Sequence, residues 1–221
     1  MTRKRRARSA RFSLVALVAI VAITGLPGTR ADEDSGWRLR VDFAVVDPSN
    51  DPSDVVIDGG TVRTDFDTGV GAGVRAEYQL NRRVGIDFGF LRTASVDVST
   101  SGATSSVEVT SFSPFTVGAD FHLTPGKRVD LYAGPQLAWV SYGDIDVVTS
   151  PGGSTIEVSV DNDLGLGAIL GLDVPLGERR HWAFQTNLRY LATSMEGEGI
   201  ADDLDVDFDP AIFSLGFGYR W

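Results

Sequence analysis

The sequence predicts an all-β fold, an eight-stranded antiparallel up-and-down transmembrane β-barrel that follows a cleaved signal peptide. Eight segments of about ten residues alternate between apolar side chains and small or polar ones, with the period of two that strands show. The connections between the segments are alternately long and short, as consecutive hairpins of a closed barrel require. The apolar faces are too bulky for the inside of so small a barrel, so we expect them to face lipid.

The first 31 residues predict a secretory signal peptide. They contain seven basic residues and no acidic one, an apolar stretch at 14–26, and the small-x-small sequence Thr29-Arg30-Ala31. Because the apolar stretch is too short to favour a spanning helix, we expect cleavage after Ala31 and a barrel domain at 32–221, with an uncleaved anchor as the alternative. In residues 32–221, 13 basic residues stand against 30 acidic ones, which makes nucleic acid an unsuitable partner.

Each of the eight segments fits a strand whose two faces differ. The segments lie at 37–46, 70–80, 83–91, 115–123, 129–140, 164–174, 182–191 and 213–221. The first four set valine, phenylalanine and other apolar residues against glycine and charged residues. In the fifth, Pro135 predicts a bulge or distorted pairing because proline has no amide hydrogen. The sixth opposes leucine to glycine, the seventh opposes aromatic residues and leucine to polar residues, and the eighth ends the chain with alternate aromatic residues and glycine.

Four connections between the segments are long and three are short. The long ones lie at 47–66, 97–112, 143–163 and 192–209, and the short ones at 81–82, 124–128 and 176–179. Both ends of the barrel domain therefore lie on the side of the short turns. Because short turns face the periplasm in outer-membrane barrels, the long acidic loops are expected outside the cell.

Two observations assign the apolar faces to lipid. The opposite faces carry arginines and acidic residues in similar number, as a buried network would, and Lys127 is the single lysine of residues 32–221. Large aromatic residues also fall at two depths, which predicts the aromatic girdles of a membrane barrel. The girdle near the short turns contains Trp37, Tyr78, Phe121, Trp182 and Trp221, and the other contains Phe43, Phe90, Trp139, Tyr190 and Phe213. Aromatic residues of a β-sandwich core are the alternative.

The end of the chain carries the most specific motif. Residues 205–210, DVDFDP, lead into SLGFGYRW at 214–221. They resemble the last loop and strand of the OmpW family, small eight-stranded outer-membrane β-barrel proteins of Gram-negative bacteria, although Trp221 stands where that family usually has Phe. Further similar stretches lie at 115–123, 131–142 and 164–174.

The resemblance implies a function and a route of assembly. Members of the OmpW family are passive channels or transporters for small hydrophobic molecules, which enter from outside and leave sideways into the bilayer. An aromatic C-terminal strand resembles the signal that the outer-membrane assembly machinery reads, which implies that role for Phe217, Tyr219 and Trp221. The implied partners are outer-membrane lipid, the assembly machinery and a small hydrophobic ligand.

The positions expected inside the barrel form two groups along its axis. Those toward the long loops define an apolar cup: Ala44, Val46, Leu91, Ala138, Val140, Ile169, Leu191 and Ile212. Those toward the short turns define a charged plug: Arg38, Arg40, Asp42, Arg75, Glu77, Arg83, Asp87, Asp120, Asp130, Asp173, Arg189 and Arg220. An apolar solute gains by burial in the cup but cannot cross the ions below it. The alternative is that small inward residues simply fill a tapering barrel.

Lateral exit into the bilayer is then the route of lowest cost for such a solute. Pro114 and Pro135 lack an amide donor, so either is expected to weaken strand pairing and to help the wall open. Two other functions stay open. A non-conducting surface barrel of the OmpX type would use its acidic loops for adhesion or envelope integrity, and a soluble lipid-binding barrel would fold without detergent.

We expect no enzymatic activity, no metal site and no cofactor. The two histidines, His122 and His181, both map to the side of the short turns, away from the outer leaflet where small barrels that modify lipids would need a general base. The aspartates at 202–209 lack the glycine and the terminal glutamate of an EF-hand loop, so we interpret them as a solvated loop.

Overall fold

The computed structural model describes residues 36–48, 53–57, 60–66, 68–94, 96–101, 106–109, 111–143, 145–148, 155–158, 161–197 and 204–221. It describes side chains at 36–48, 68–94, 111–143, 161–194 and 208–221. The predicted signal peptide and its cleavage site lie outside the described residues. No helix within these ranges is both long enough and apolar enough to cross a membrane.

Eight strands close into a single antiparallel ring. In chain order the strands of the described residues are β1 (Gly36–Pro48), β2 (Ser53–Ile57), β3 (Gly60–Phe66), β4 (Gly69–Asn81), β5 (Val84–Thr93), β6 (Val96–Ser101), β7 (Ser106–Val109), β8 (Phe112–His122), β9 (Asp130–Tyr142), β10 (Ile145–Val148), β11 (Thr155–Val158), β12 (Asp163–Leu176), β13 (Trp182–Gly197), β14 (Leu204–Phe208) and β15 (Pro210–Arg220). The ring runs β1, β4, β5, β8, β9, β12, β13, β15, and the pairing of β15 with β1 closes it. The predicted fold class is confirmed.

The long connections contain strands of their own. The short strands β2, β3, β6, β7, β10 and β11 form a six-stranded sheet, and β14 pairs with residues 193–197 of β13. We call this end of the barrel the loop end. The opposite end, with the three short connections and both termini of the ring, is the turn end.

Burial alternates along the ring strands, because successive residues of a strand point to opposite faces. Phe43 is 73% exposed, whereas Arg40 and Asp42 on the same strand are fully buried. Large apolar side chains are exposed on all eight ring strands, and the buried face carries charged, polar and smaller apolar residues. The prediction that the bulky faces point outward is therefore confirmed.

The first short turn differs from the prediction. The register of β4 and β5 shifts between Gln79 and Asn81, so the turn consists of Arg82 and Arg83. The Asn81 side chain closes it, because its Oδ1 accepts hydrogen bonds from the amides of Arg83 at 2.8 Å and Val84 at 3.0 Å. Arg83 is consequently exposed, and its assignment to the charged plug was wrong. The extra residue of a bulge shifts the residues that follow it by one position. A side chain expected on the inward face then no longer points into the lumen.

Candidate functional site

The turn-end half of the lumen holds a buried ionic network. Arg40 Nη2 lies 2.6 Å from Glu77 Oε2 and 3.0 Å from Asp173 Oδ2, and Arg38 also donates a hydrogen bond to Asp173. Asp173 lies on β12, which is not a neighbour of β1 in the ring. The two contacts with Asp173 therefore cross the lumen, whereas Glu77 lies on β4, the neighbour of β1.

Arg75 forms the second centre of the network. Its Nη2 lies 3.0 Å from Asp87 Oδ1 and 3.1 Å from Asp120 Oδ2, while Nη1 donates a hydrogen bond of 3.0 Å to the Tyr132 hydroxyl. The guanidinium carbons of Arg40 and Arg75 lie 5.2 and 5.6 Å from the centre of the Tyr132 ring. Tyr132 thus contacts both arginines, and cation–π attraction adds to the hydrogen bonds.

His122 joins the network at the turn end. Its Nε2 lies 2.7 Å from Glu77 Oε1, and its Nδ1 lies 2.8 Å from Asp130 Oδ2. Toward mid-depth, Gln185 donates a hydrogen bond to Asp42, and Arg189 Nη2 lies 3.6 Å from the same carboxylate. A second polar group, Asp42 with Gln185 and Arg189, therefore lies beside the network toward the middle of the lumen.

Inward glycines leave the space that the network occupies. A Cβ atom at Gly171 would overlap the Tyr132 ring, and one at Gly85 would overlap the Glu77 carboxylate. Larger residues at these positions would displace the side chains that carry the ion pairs. The glycine-rich inward faces and the charged inward faces are therefore parts of the same arrangement.

The loop-end half of the lumen is apolar. One buried cluster contains Ala44, Val46, Leu91, Phe112, Ala138, Val140, Tyr142, Leu191, Phe208 and Ile212. It includes every predicted member of the apolar cup except Ile169. That residue is buried at mid-depth, opposite Arg189 in the pairing of β12 with β13.

Three aromatic residues that sequence reasoning missed close this cluster at the loop end. The rings of Phe112, Tyr142 and Phe208 have centroids 5.4 to 6.2 Å apart. Thr193 connects two of them, because its hydroxyl donates a hydrogen bond to the Phe208 carbonyl and accepts one of 3.1 Å from the Tyr142 hydroxyl. Alternation could not identify these residues, because they lie in or beside segments predicted as loops.

The wall of the barrel is interrupted at both prolines. The last residue pair between β5 and β8 is Phe90 with Phe115, directly before Pro114. Beyond it, the Thr93 hydroxyl bonds to the amide and the carbonyl of Phe112, at 2.9 and 3.1 Å. The pairing of β8 with β9 is interrupted at residues 119–120 and 134–135, beside Pro135. The predicted distortion at Pro135 is confirmed.

Comparison with protein families identifies the class of barrel. The model of the outer membrane protein beta-barrel domain matches residues 13–220. The chain belongs to this family. As a member of it, the protein is an outer-membrane β-barrel of the Gram-negative type, and the family is not enzymatic.

Solved structures show the same fold. The crystal structure of the outer membrane protein OprG from Pseudomonas aeruginosa matches with a TM-score of 0.68 and 21% identity, over 85% of this chain and 96% of OprG. The solid-state NMR structure of outer membrane protein AlkL in DMPC lipid bilayers matches with a TM-score of 0.59 and 20% identity, over 89% of this chain and 95% of AlkL. The crystal structure of Neisserial surface protein A (NspA) matches with a TM-score of 0.53 and 16% identity, over 86% of this chain and 100% of NspA. The comparison with curated proteins found no match.

Most of the residues predicted as a plug meet in the lumen of this outer-membrane barrel. The buried members are Arg38, Arg40, Asp42, Arg75, Glu77, Asp87, Asp120, Asp130, Asp173 and Arg189. Arg220 lies half-buried at the turn end. The predicted plug did not include five further inward residues that are buried beside it: Tyr132, His122, Gln136, Gln185 and Asn187. Alternation places all five on the inward face, so the sequence did contain a signal for them. Where side chains are described, no group of histidine and acidic residues could hold a metal ion.

Proposed function

We propose that this barrel is a passive, OmpW-like route by which small hydrophobic molecules pass from the cell exterior into the outer membrane. The observation that supports it is the division of the lumen into an apolar cluster at the loop end and an ionic network at the turn end. A hydrophobic molecule is stabilised by contact with Leu91, Val140 and Leu191, roughly in proportion to the apolar area that it buries.

The ionic network makes the periplasmic direction unfavourable for such a molecule. To pass, it would have to separate Arg40 from Asp173, a contact between β1 and β12 that crosses the lumen. Breaking a buried ion pair without replacing it costs about 3–5 kcal/mol. A molecule held in the apolar cup therefore leaves at lower cost through the wall.

We place the exit between β5 and β8 at Pro114. This interruption lies at the height of the apolar cluster, because Pro114 pairs with Val140 and follows Phe112 and Ser113. The interruption beside Pro135 lies lower, where Asp120 contacts Arg75. Opening there would expose the ionic network to acyl chains, which is costly.

Entry requires movement of the aromatic group at the loop end. Phe112, Tyr142 and Phe208 contact one another and are buried, so the described arrangement is closed. Phe208 belongs to the short strand β14, which pairs with the upper part of β13. Displacement of this strand would open the cup without separating any ring strands.

Charge in the apolar cup is expected to stop uptake. The variant L91R/V140R should reduce uptake of an apolar fluorescent reporter into liposomes at least about tenfold, because the reporter would have to displace two buried cations. The matched variant L91M/V140I keeps the surface apolar and should take up the reporter at the rate of the unchanged barrel. Equal rates for L91R/V140R and the unchanged barrel, both shown to be folded, would contradict the cup as the path.

A cross-link across the proposed exit tests its position. Arg92 and Ser113 continue the register of β5 and β8 beyond the last pair, Phe90 with Phe115. A disulfide between cysteines at these two positions would join the strands beyond Pro114. Because the chain has no cysteine, the variant R92C/S113C can form a single disulfide. Uptake should fall to that of protein-free liposomes when the variant is oxidised and should return after reduction.

The control for the cross-link lies beside Val46 of the apolar cluster, where the wall is continuous. Val45 and Phe213 face outward and pair directly in the ladder of β1 with β15. Oxidised V45C/F213C should retain uptake, since those strands already pair. If oxidised R92C/S113C takes up reporter as fast as oxidised V45C/F213C, the exit does not lie at Pro114.

A non-conducting surface barrel is the second candidate, and the packed lumen favours it. Leu91, Val140, Leu191 and Ile212 are fully buried, and the aromatic group closes the cluster above them. Reporter uptake by the unchanged barrel no faster than by protein-free liposomes would favour this candidate over transport.

A further inference from the structure

The turn end concentrates positive charge in an otherwise acidic protein. Each of the three short turns carries two adjacent basic residues: Arg82-Arg83, Lys127-Arg128 and Arg179-Arg180. All six are exposed, and Glu178 is the single acidic residue of residues 82–83, 123–129 and 177–181. The whole chain, in contrast, has a formal net charge of −10.

Two of the three turns are held together. Arg180 has a backbone φ of 52°, an uncommon value for a residue other than glycine, and its Nη1 donates a hydrogen bond of 3.1 Å to the Gly126 carbonyl of the neighbouring turn. Thr124 stabilises that turn, since its hydroxyl bonds to the Val129 carbonyl and the Leu131 amide, each at 2.8 Å. The two basic pairs therefore form one patch.

Three of the four cations of this patch are free to bind a ligand. Within the described part of the chain, the side chains of Lys127, Arg128 and Arg179 have neither a hydrogen-bond nor an ion-pair partner. The guanidinium groups of Arg128 and Arg179 and the ammonium group of Lys127 lie at the rim of the barrel. These groups donate hydrogen bonds and cannot accept them. The planar guanidinium of arginine matches the geometry of phosphate and can bind it through two hydrogen bonds.

An aromatic girdle lies just inside the basic turns. Trp182 and Tyr219 have ring centroids 5.0 Å apart, and Trp37 and Tyr78 have centroids 5.1 Å apart, all on the outward face near the turn end. Such residues lie at the level of lipid headgroups. The basic pairs lie further from the hydrocarbon than these aromatic residues do. They are therefore at the depth of the phosphates of the periplasmic leaflet.

We propose that the basic turns bind anionic phospholipid headgroups of the periplasmic leaflet. The main contacts come from Lys127, Arg128 and Arg179, with Arg83 adding charge at the first turn. Each basic residue near an anionic membrane surface strengthens binding about fivefold. Binding of these headgroups by the basic turns would fix the depth and the orientation of the barrel in the membrane. The acidic loops would then be directed away from the anionic leaflet.

The test measures which lipid the folded barrel retains. The full barrel is reconstituted in nanodiscs of phosphatidylcholine with a minor share of phosphatidylglycerol and extracted in mild detergent, and the bound lipids are counted by native mass spectrometry. The unchanged barrel should be enriched in phosphatidylglycerol over the nanodisc composition. K127Q/R128Q/R179Q should lose this enrichment at least about tenfold, and high salt should weaken it in the unchanged barrel.

Matched controls separate charge from structure and position. K127R/R128K/R179K keeps every charge and should keep the enrichment, while the single exchange R179Q should reduce it more than R92Q, an exposed arginine at the loop end. Heat-dependent migration on a gel shows that each variant is folded. Equal enrichment for K127Q/R128Q/R179Q and the unchanged barrel overturns the proposal. Binding of inorganic phosphate to the unchanged barrel in detergent, with no enrichment of phosphatidylglycerol from the nanodiscs, also overturns it, since the patch would then be a site for free anions only.

Discussion

Replacing Arg75 with methionine is expected to destabilise the folded barrel by about 3–5 kcal/mol, because it leaves buried carboxylates without their cation. Arg75 Nη2 lies 3.0 Å from Asp87 and 3.1 Å from Asp120, and all three side chains are buried in the lumen. Methionine fills a similar volume, so loss of charge and hydrogen bonds dominates the effect. Reversible unfolding in urea, followed by tryptophan fluorescence in lipid vesicles, measures the free energy.

Two further variants show whether the loss comes from the unpaired charge. R75M/D120N removes one of the two carboxylates and should recover part of the stability, a coupling that a double-mutant cycle measures. R92M changes an exposed arginine of the neighbouring strand and should alter the stability by no more than about 0.5 kcal/mol. If R75M is as stable as R92M, the ionic network does not stabilise the closed lumen.

Replacing Leu170 with arginine is expected to cost about 2–4 kcal/mol, because the charge would lie among acyl chains at the bilayer midplane. Leu170 is 57% exposed and lies in the middle of β12, where it pairs with Leu188 on one side and Ala133 on the other. Arginine there contacts no partner on the outer face of the neighbouring strands. The same unfolding experiment in vesicles measures the effect.

The control for Leu170 lies on the same strand and face. Leu176 is 41% exposed at the turn end of β12, so L176R should cost only about 0–1 kcal/mol at the membrane interface. A difference between the two variants reports depth in the bilayer, because the chemical change is identical. Equal costs would contradict the assignment of this face to lipid.

The sequence predicted the ring strands and their facing because both depend on a local pattern. A strand turns successive side chains to opposite faces, so alternation of bulky and small or charged residues along 37–46 identifies β1 and its inward arginines directly. The same pattern found most of the apolar cup and most of the plug. Tyr132 and His122 lie on the same inward face, so alternation indicates their position as well.

Other features could not be predicted, because they depend on residues far apart in the chain. The bulge beside Asn81 moved Arg83 from the lumen to the turn, and alternation alone does not show where a strand gains a residue. Phe112, Tyr142 and Phe208 come together only when three separate strands reach the loop end at one height. The end of the pairing of β5 with β8 before Pro114 likewise depends on the register of β8 against its neighbours.

By itself, then, the sequence determined the class of fold, the number of ring strands, the lipid-facing surface and the chemical nature of the two halves of the lumen. These follow from the period of two and from the cost of placing charge in lipid, which act residue by residue. The tertiary structure alone decided which arginine meets which carboxylate, what closes the apolar cup and where the wall is unpaired. Closing the ring sets the register of every strand at once, and only that register brings distant side chains to the same depth.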